Sequence, residues 1–328
     1  MFLQPKRDNG MESNQKEILE LFIITYNRSQ YLETTLKQLI GCPFSVFPIT
    51  VLDNCSTDNT YDIFLKYKDL FPKLNYKKNK VNVGADANVL RAAEMSDGIY
   101  TWILCDDDFY DFTSCNDVLN ELEKKEAAAI MVGWAEYFQW PDTGMYDTPM
   151  NLMKQEFPYF CVPTFVPGSI FKTDIFQRQI RVSYTNIVNL LPVMTFYVSL
   201  YKNNEKVYVS KRKIVVPGAQ APYDYTFLRV MMAILHTFYL IDIPAVRRQA
   251  FYANYLEPTP YRNNIRYTLL MQRSESSVTT YSKFRYFRVL EWENKLLFIG
   301  AILVSPVANR ITLSPSFKSN LKRLLGWH

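Results

Sequence analysis

Histidine is nearly missing from this chain: 328 residues carry only His236 and His328. The five cysteines, at 42, 55, 105, 115 and 161, form no C-x-x-C pair. A zinc site of histidine and closely spaced cysteine is therefore excluded, and carboxylate chemistry is what remains. An odd number of scattered thiols suits a reducing cytoplasm, and no basic, apolar and small-residue signal segment opens the chain. Glycine-rich phosphate loops are absent too. With neither G-x-G-x-x-G nor G-x-x-x-x-G-K-[ST], the dinucleotide and P-loop readings lose their main support. The apolar stretch Leu296–Val304 falls well short of the roughly twenty residues that span a bilayer. There is no internal repeat and no low-complexity tract.

Against these absences stands an acidic triplet, Asp106, Asp107 and Asp108, directly after the apolar run from Tyr100 to Cys105. An apolar run of this length reads as a buried strand, so the triplet sits where a strand ends and solvent begins. Three adjacent carboxylates repel one another. A divalent cation relieves that repulsion, and oxygen-only ligands select a hard ion, Mg²⁺ or Mn²⁺. Two earlier apolar runs end in the same way, Leu21–Ile24 before Thr25, Asn27 and Arg28, and Ile49–Leu52 before Asp53 and Asn54. After the first, Ser29 is placed to cap a helix with Leu32, Leu36, Leu39 and Ile40 on one face. After the second, Ser56 or Thr57 is placed to cap one carrying Ile63, Tyr67, Leu70 and Phe71. This alternation predicts a parallel, right-handed α/β sheet with its ligand at the carboxyl ends of the strands.

The succession Thr25 to Arg28, Asp53 to Thr60, Asn82 to Gly84 with Asn88 and Arg91, then Trp102 to Asp108 closely resembles the nucleotide-binding half of the family 2 glycosyltransferases of the GT-A fold. The resemblance implies a Rossmann-like, mostly parallel sheet flanked by helices. It further implies inverting transfer of one sugar from a nucleotide-sugar, usually a UDP-sugar, to an acceptor hydroxyl. In that family the aspartate at the end of the second strand, here Asp53, recognises the base. The D-x-D pair, here Asp106 and Asp108, meets ribose and the metal-bound diphosphate, with Asp107 beside it. The residues themselves are compatible with these roles. Asp53 can accept a base N–H or cap the turn after its strand. Thr25 and Asn27 suit base or ribose edges but also form turns. Gly84 allows close backbone approach near a helix start, where free N–H groups favour a diphosphate. Arg91 either neutralises phosphate or braces the acidic triplet, and Arg28 and Asn88 complete the donor set.

An inverting reaction also needs a base beside the acceptor, and here the sequence departs from its family. Relatives place an acidic pair some eighty to ninety residues after the metal motif, but no carboxylate occurs between Asp174 and Glu205. Asp174, Glu136 and Asp224 remain as substitutes. The segment from Pro163 to Lys172 resembles the acceptor-side strand, with Gly168 and Ser169 near the transferred sugar. Trp134, Tyr137, Trp140 and Tyr159 either line the acceptor cleft or pack the core.

Charge is unevenly placed. From Thr226 to His328 there are 14 Lys and Arg against 5 Asp and Glu, whereas residues 1–225 hold 23 against 27. The expected organisation is a loose N-terminus (1–16), a catalytic domain (17–225, with a donor half 17–112 and an acceptor half 113–225) and a basic, largely helical region (226–328). Near its end Phe317, Leu321, Leu324 and Leu325 share one helical face, with Lys318, Lys322 and Arg323 elsewhere. A helix over 316–327 lying on an anionic membrane surface has that pattern, and so does one docked on its own domain or on a second subunit of a homo-oligomer. The expected enzyme is cytoplasmic, peripheral on the inner face of the membrane, and acts on a polysaccharide or lipid-linked glycan. The alternative is a metal-dependent phosphodiesterase or nucleotidyl hydrolase using the same aspartates. Nucleic acid is not an expected partner, because the basic residues lie away from the acidic rim and form no recognition motif.

Overall fold

The computed structural model describes residues 16–134, 143–146, 165–187, 192–218 and 295. Along the chain come β1 (Leu19–Thr25), α1 (Ser29–Leu39), β2 (Ile49–Asp53), α2 (Thr60–Tyr67), β3 (Leu74–Lys78), α3 (Ala85–Met95) and β4 (Tyr100–Cys105). There follow β5 (Phe109–Tyr110), α4 (Asn116–Lys124), β6 (Ala129–Trp134), β7 (Gly144–Tyr146), β8 (Ser169–Lys172), α5 (Thr173–Thr185), α6 (Met194–Asn203) and β9 (Val207–Val216). The nine described strands form one sheet in the order β3-β2-β1-β4-β8-β6-β9-β5, with β7 on β9. β3, β2, β1 and β4 are mutually parallel, as are β6 and β9, while β8, β5 and β7 run against their neighbours. The α/β class expected from the sequence is present, but the sheet is mixed rather than mostly parallel: the β1–β4 half is parallel as expected, whereas four of the eight described pairings are antiparallel.

Both faces of this sheet are covered, which is why its central strands read as unbroken apolar runs. On one face Leu19, Leu21 and Ile23 of β1 and Tyr100, Trp102 and Leu104 of β4 meet Leu32, Leu36 and Leu39 of α1 and Val118 and Leu122 of α4. On the other, Phe171 lies within 5.2 Å of the Phe176 and Phe196 rings of α5 and α6. Gln177 of α5 donates to the Ala93 and Ser96 carbonyls at 3.1 and 2.9 Å, tying that helix to the end of α3. On the α1/α4 face one core cluster runs from Leu19 to Val215, so β1, β2 and β4 share both the sheet and that interior with β6, β8 and β9.

The helix caps differ from those read in the sequence. Ser29 is the first helical residue of α1, after Arg28 as cap residue, and its N–H is taken by Asp58 Oδ2 at 3.0 Å. Asp58 also accepts the Thr60 N–H at the start of α2, at 3.1 Å. One carboxylate from the β2–α2 loop thus serves two helix starts, and Ser29, Ser56 and Thr57 cap neither. Ile40 (42% exposed) and Leu70 (57%) also leave the buried faces expected for them, because each falls just past its helix. The basic region 226–328, the helix over 316–327 and the 296–304 stretch lie outside the described residues, apart from Lys295. No described helix is long and apolar enough to cross a membrane.

Candidate active site

Chain direction locates the site. From β1 the chain winds outward to β2 and β3, then returns across β1 to β4. Adjacent strands whose connections leave in opposite directions open a crevice at their carboxyl ends, the usual ligand position in such sheets. β1 and β4 are that pair, and their ends carry Thr25, Asn27 and Arg28 on one side and Cys105 to Asp108 on the other.

The turn after β4 is fixed largely by α1. Thr35 Oγ1 donates to the Asp106 carbonyl at 2.8 Å, and Gln38 Oε1 accepts the Tyr110 N–H at 2.6 Å. Arg28 reaches across the crevice, with Nη1 3.3 Å from Asp106 Oδ1 and 2.8 Å from Asp107 Oδ2. The two carboxylates raise the Arg28 pKa against the lowering effect of its burial. Asp106 and Asp108 are 3% and 5% exposed, and each keeps one buried oxygen, Oδ2, without a hydrogen-bond partner. Burial pushes both carboxyl groups up to about 7, opposed at Asp106 by the nearby Thr25 hydroxyl and Arg28 and at Asp108 by the Gly218 N–H. Cys105 Sγ and one carboxylate oxygen each from Asp107 and Asp108 lie within 4.8 Å of one another. Buried oxygens left open at such a penalty are what a cation site looks like before it is filled. The donor set therefore fits a divalent ion. Asp106, expected as a ligand with Asp108, is not part of that close group.

Asp53 is built differently. It is fully buried at the end of β2, its Oδ1 takes the Ser56 N–H at 2.8 Å, its Oδ2 takes the Tyr76 hydroxyl at 2.5 Å, and Lys78 Nζ lies 3.8 Å from Oδ2. Both oxygens are thus occupied by the protein. Asn27, in the left-handed region at φ 50°, accepts the Thr57 N–H at 2.7 Å, and its own N–H goes to Ser56 Oγ at 2.8 Å. Asn27 therefore clasps the two loops together.

Comparison with known proteins agrees with this architecture. The family model described as Glycosyl transferase family 2 matches residues 20–183, half of the chain. The chain belongs to that family. Abequosyltransferase RfbV of Salmonella typhimurium LT2 is 35% identical over 95 residues, 28% of this chain and 28% of RfbV. UDP-Glc:alpha-D-GlcNAc-diphosphoundecaprenol beta-1,3-glucosyltransferase WfaP of Escherichia coli is 25% identical over 139 residues, 42% of this chain and 53% of WfaP. The chain spans between about a quarter and about half the length of the curated relatives it matches. Among solved structures, S. aureus TarS 1-349 in complex with UDP-GlcNAc superposes with TM-score 0.53 at 16% identity, over 86% of this chain and 79% of that one. The mannosyltransferase PcManGT from Pyrobaculum calidifontis, in complex with GDP-Man and Mn²⁺, gives 0.52 at 13%, over 89% and 88%. At such identities the likeness establishes the GT-A fold.

In this member of the family the remaining sequence candidates divide. Gly84 caps α3 at φ 85°, a conformation costly for other residues, and its N–H bonds Asn82 Oδ1 at 2.8 Å. Asn88 is buried and spent on the scaffold, accepting from Asn79 at 2.8 Å and donating to the Leu52 carbonyl at 3.2 Å. Arg91 makes no ion pair with the acidic triplet among the described residues, and its Nε is buried without a partner. Arg28 is the brace in its place. Gly168 and Ser169 are buried where the chain enters β8, tied to β4 by Trp102 Nε1 donating to the Pro167 carbonyl at 2.9 Å. Asp174 belongs at the wrong end: β8 runs against β4 with Lys172 opposite Tyr100, so Asp174 lies about a strand length, roughly 17 Å, from the acidic rim. It is also 66% exposed and paired with Arg178 at 3.5 Å. Asp174 is thereby removed as a base. Glu136, Asp224, Tyr137, Trp140 and Tyr159 lie outside the described residues, as does the Trp134 side chain.

Sequence reading missed Gly218. The end of β9 pairs with β5, opposite Phe109 and Tyr110, and delivers Gly218 onto the triplet, where its N–H donates to Asp108 Oδ1 at 2.9 Å. A Cβ there would stand 1.7 Å from the Asp107 carbonyl oxygen, so only glycine fits. Register shifts between β6 and β9 bend β9 on its way, and at Gly133 a Cβ would meet the Arg212 carbonyl at 2.7 Å. The only sequence signal was the turn-forming Pro217-Gly218 pair at the end of an apolar run.

Proposed function

We propose that the chain is an inverting glycosyltransferase that moves one sugar from a nucleotide-diphosphate sugar, a UDP-sugar before others, to a hydroxyl of a cell-surface polysaccharide or lipid-linked glycan precursor. The observation that carries this reading is the pair of buried carboxylates with open oxygens, Asp106 and Asp108, at the β1/β4 crevice. Mg²⁺ or Mn²⁺ held by this cluster would neutralise the diphosphate of the departing nucleotide. Arg28 holds Asp106 and Asp107 in place. The Gly84 backbone at the start of α3 and the Arg91 guanidinium are the groups for the diphosphate, since a helix N-terminus and a cation both favour negative charge. Thr25, whose buried hydroxyl lies beside Asp106, faces the ribose side. Asp53 reads the base when the Tyr76 hydroxyl yields its oxygen. Gly168 and Ser169 frame the acceptor side.

The expected partners are the donor, the glycan or lipid-linked acceptor, and an anionic membrane surface touched by the basic region, with the protein at the cytoplasmic face of the membrane. A panel of nucleotide-sugars tests the reaction: release of a nucleoside diphosphate supports transfer, whereas loss of a monophosphate favours the phosphodiesterase alternative. Full activity in excess EDTA would remove the metal from the mechanism. Truncation after Ser314 should release the protein from anionic liposomes while donor binding persists. A truncated protein that changes its mass on a sizing column instead points to a subunit contact.

A further inference from the structure

We propose that the Cys105 sulfur is itself a ligand of the cation at the acidic cluster, making a mixed sulfur and oxygen site that prefers Mn²⁺ and more thiophilic divalent ions to Mg²⁺. The inference rests on the metal-dependent reading above and names the donor atoms and ion class of that site. Cys105 closes β4, and strand alternation puts it on the face opposite Leu104, whose side chain goes into the core beneath α1. The chain then turns, bringing Asp107 and Asp108 back so that Cys105 Sγ and one oxygen from each fall within 4.8 Å of one another. Atoms sharing a small divalent ion at bond lengths of about 2.0–2.3 Å stand about 3–4 Å apart, so modest side-chain movement closes the set.

A second observation points into the same cluster. Asp108 is 5% exposed, its Oδ1 is held by the Gly218 N–H at 2.9 Å, its Oδ2 is left open, and the neighbour its carboxyl does have is the Cys105 thiol. Asp106 is not part of that close group, its Oδ1 being paired with Arg28, although its Oδ2 is also left open. Cys105 has no disulfide. Oxygen donors alone suit Mg²⁺ and Mn²⁺ alike, but a sulfur donor penalises the hard Mg²⁺ and favours ions later in the first transition row. On binding, the thiol proton passes to solvent and an Sγ–metal bond forms.

The test uses the full-length protein titrated with Co²⁺, with and without UDP, followed by calorimetry and by near-ultraviolet absorption. The expected result is a sulfur-to-cobalt charge-transfer band that disappears in C105S, with Co²⁺ affinity weakened at least about tenfold and the Mn²⁺-over-Mg²⁺ preference reduced. The wild-type band is decisive even if C105S folds poorly, and D108N, which keeps the thiol, should weaken ion binding without removing sulfur from the protein. Co²⁺ bound without the band, and equally by C105S, overturns the sulfur ligand while leaving a carboxylate-held metal intact. Failure of Co²⁺, Mn²⁺ and Mg²⁺ to bind under either condition overturns the sulfur ligand and the metal-dependent reading together.

Discussion

Two acidic rims lie on the same edge of the sheet, separated only by β1, and they are finished in opposite ways. Asp53, at the end of β2, is as buried as Asp106 and Asp108 at the end of β4. Its two oxygens, however, are taken by Ser56 and Tyr76, whereas Asp106 and Asp108 each leave one buried oxygen open. Burial of a carboxylate therefore does not mark a site, and neither does an open oxygen alone, since Glu121 of α4 also leaves a buried one; Asp106 and Asp108 are set apart because their open oxygens lie together at the β1/β4 crevice, where a ligand can complete them. The closed rim holds the loops that shape the crevice, and the open rim is where the proposed chemistry would take place.

The comparison is broken most directly at the open rim. Asp108→Ala and Asp106→Ala are each expected to reduce transfer about 10³-fold, roughly 4 kcal/mol, in steady-state assays of nucleoside diphosphate release. Near-normal turnover in either would remove that residue from the chemistry. Gly218→Ala forces the Asp107 carbonyl or the β9 end to move, with an expected loss of about 10–100-fold in turnover and about 1–3 kcal/mol in stability by denaturant unfolding.

At the closed rim the larger effect should fall on the fold. Asp53→Ala strips partners from the Ser56 N–H and the Tyr76 hydroxyl and should cost about 1–3 kcal/mol in unfolding free energy, with nucleotide affinity falling as well. Tyr76→Phe separates the two roles. If Asp53 reads the base, freeing its oxygen should tighten nucleotide binding in calorimetry, and unchanged affinity would leave Asp53 a loop brace.

Proton binding sharpens the same contrast. With burial pushing both carboxyl groups up to about 7, the folded protein is expected to give up the Asp106 and Asp108 protons around pH 7, whereas the unfolded chain gives them up near the ordinary 3.8. Between these values the native state binds more protons, so unfolding free energy falls as pH rises, and the cation-free protein should melt at a lower temperature at about pH 8 than at about pH 5. Added divalent cation should reverse that trend. Asp108→Asn should stabilise the cation-free protein by about 1–2 kcal/mol at about pH 8 while abolishing transfer. The smallest effect is expected at Asp174→Ala, within about 0.5 kcal/mol of wild type and without change in turnover, since an exposed pair with Arg178 contributes little. A large loss of activity there would restore Asp174 as a base despite its position.

Much of this was written locally. Runs of apolar residues ending in Thr25, Asp53 and Asp106 announced parallel strands and the rim they share, because buried strands need apolar side chains on both faces and polar residues gather where they emerge. What sequence could not disclose was which polar groups spend themselves on one another. Asp58 capping two helices, Tyr76 occupying Asp53, Arg28 rather than Arg91 bracing the triplet, and Gly218 bonding Asp108 from 110 residues away all depend on chain segments meeting in space. Local spacing sets secondary structure and strand ends because those interactions lie within a few residues of each other. Whether a buried oxygen is satisfied or left open for a ligand is a property of packing between distant segments, and only the tertiary structure decides it.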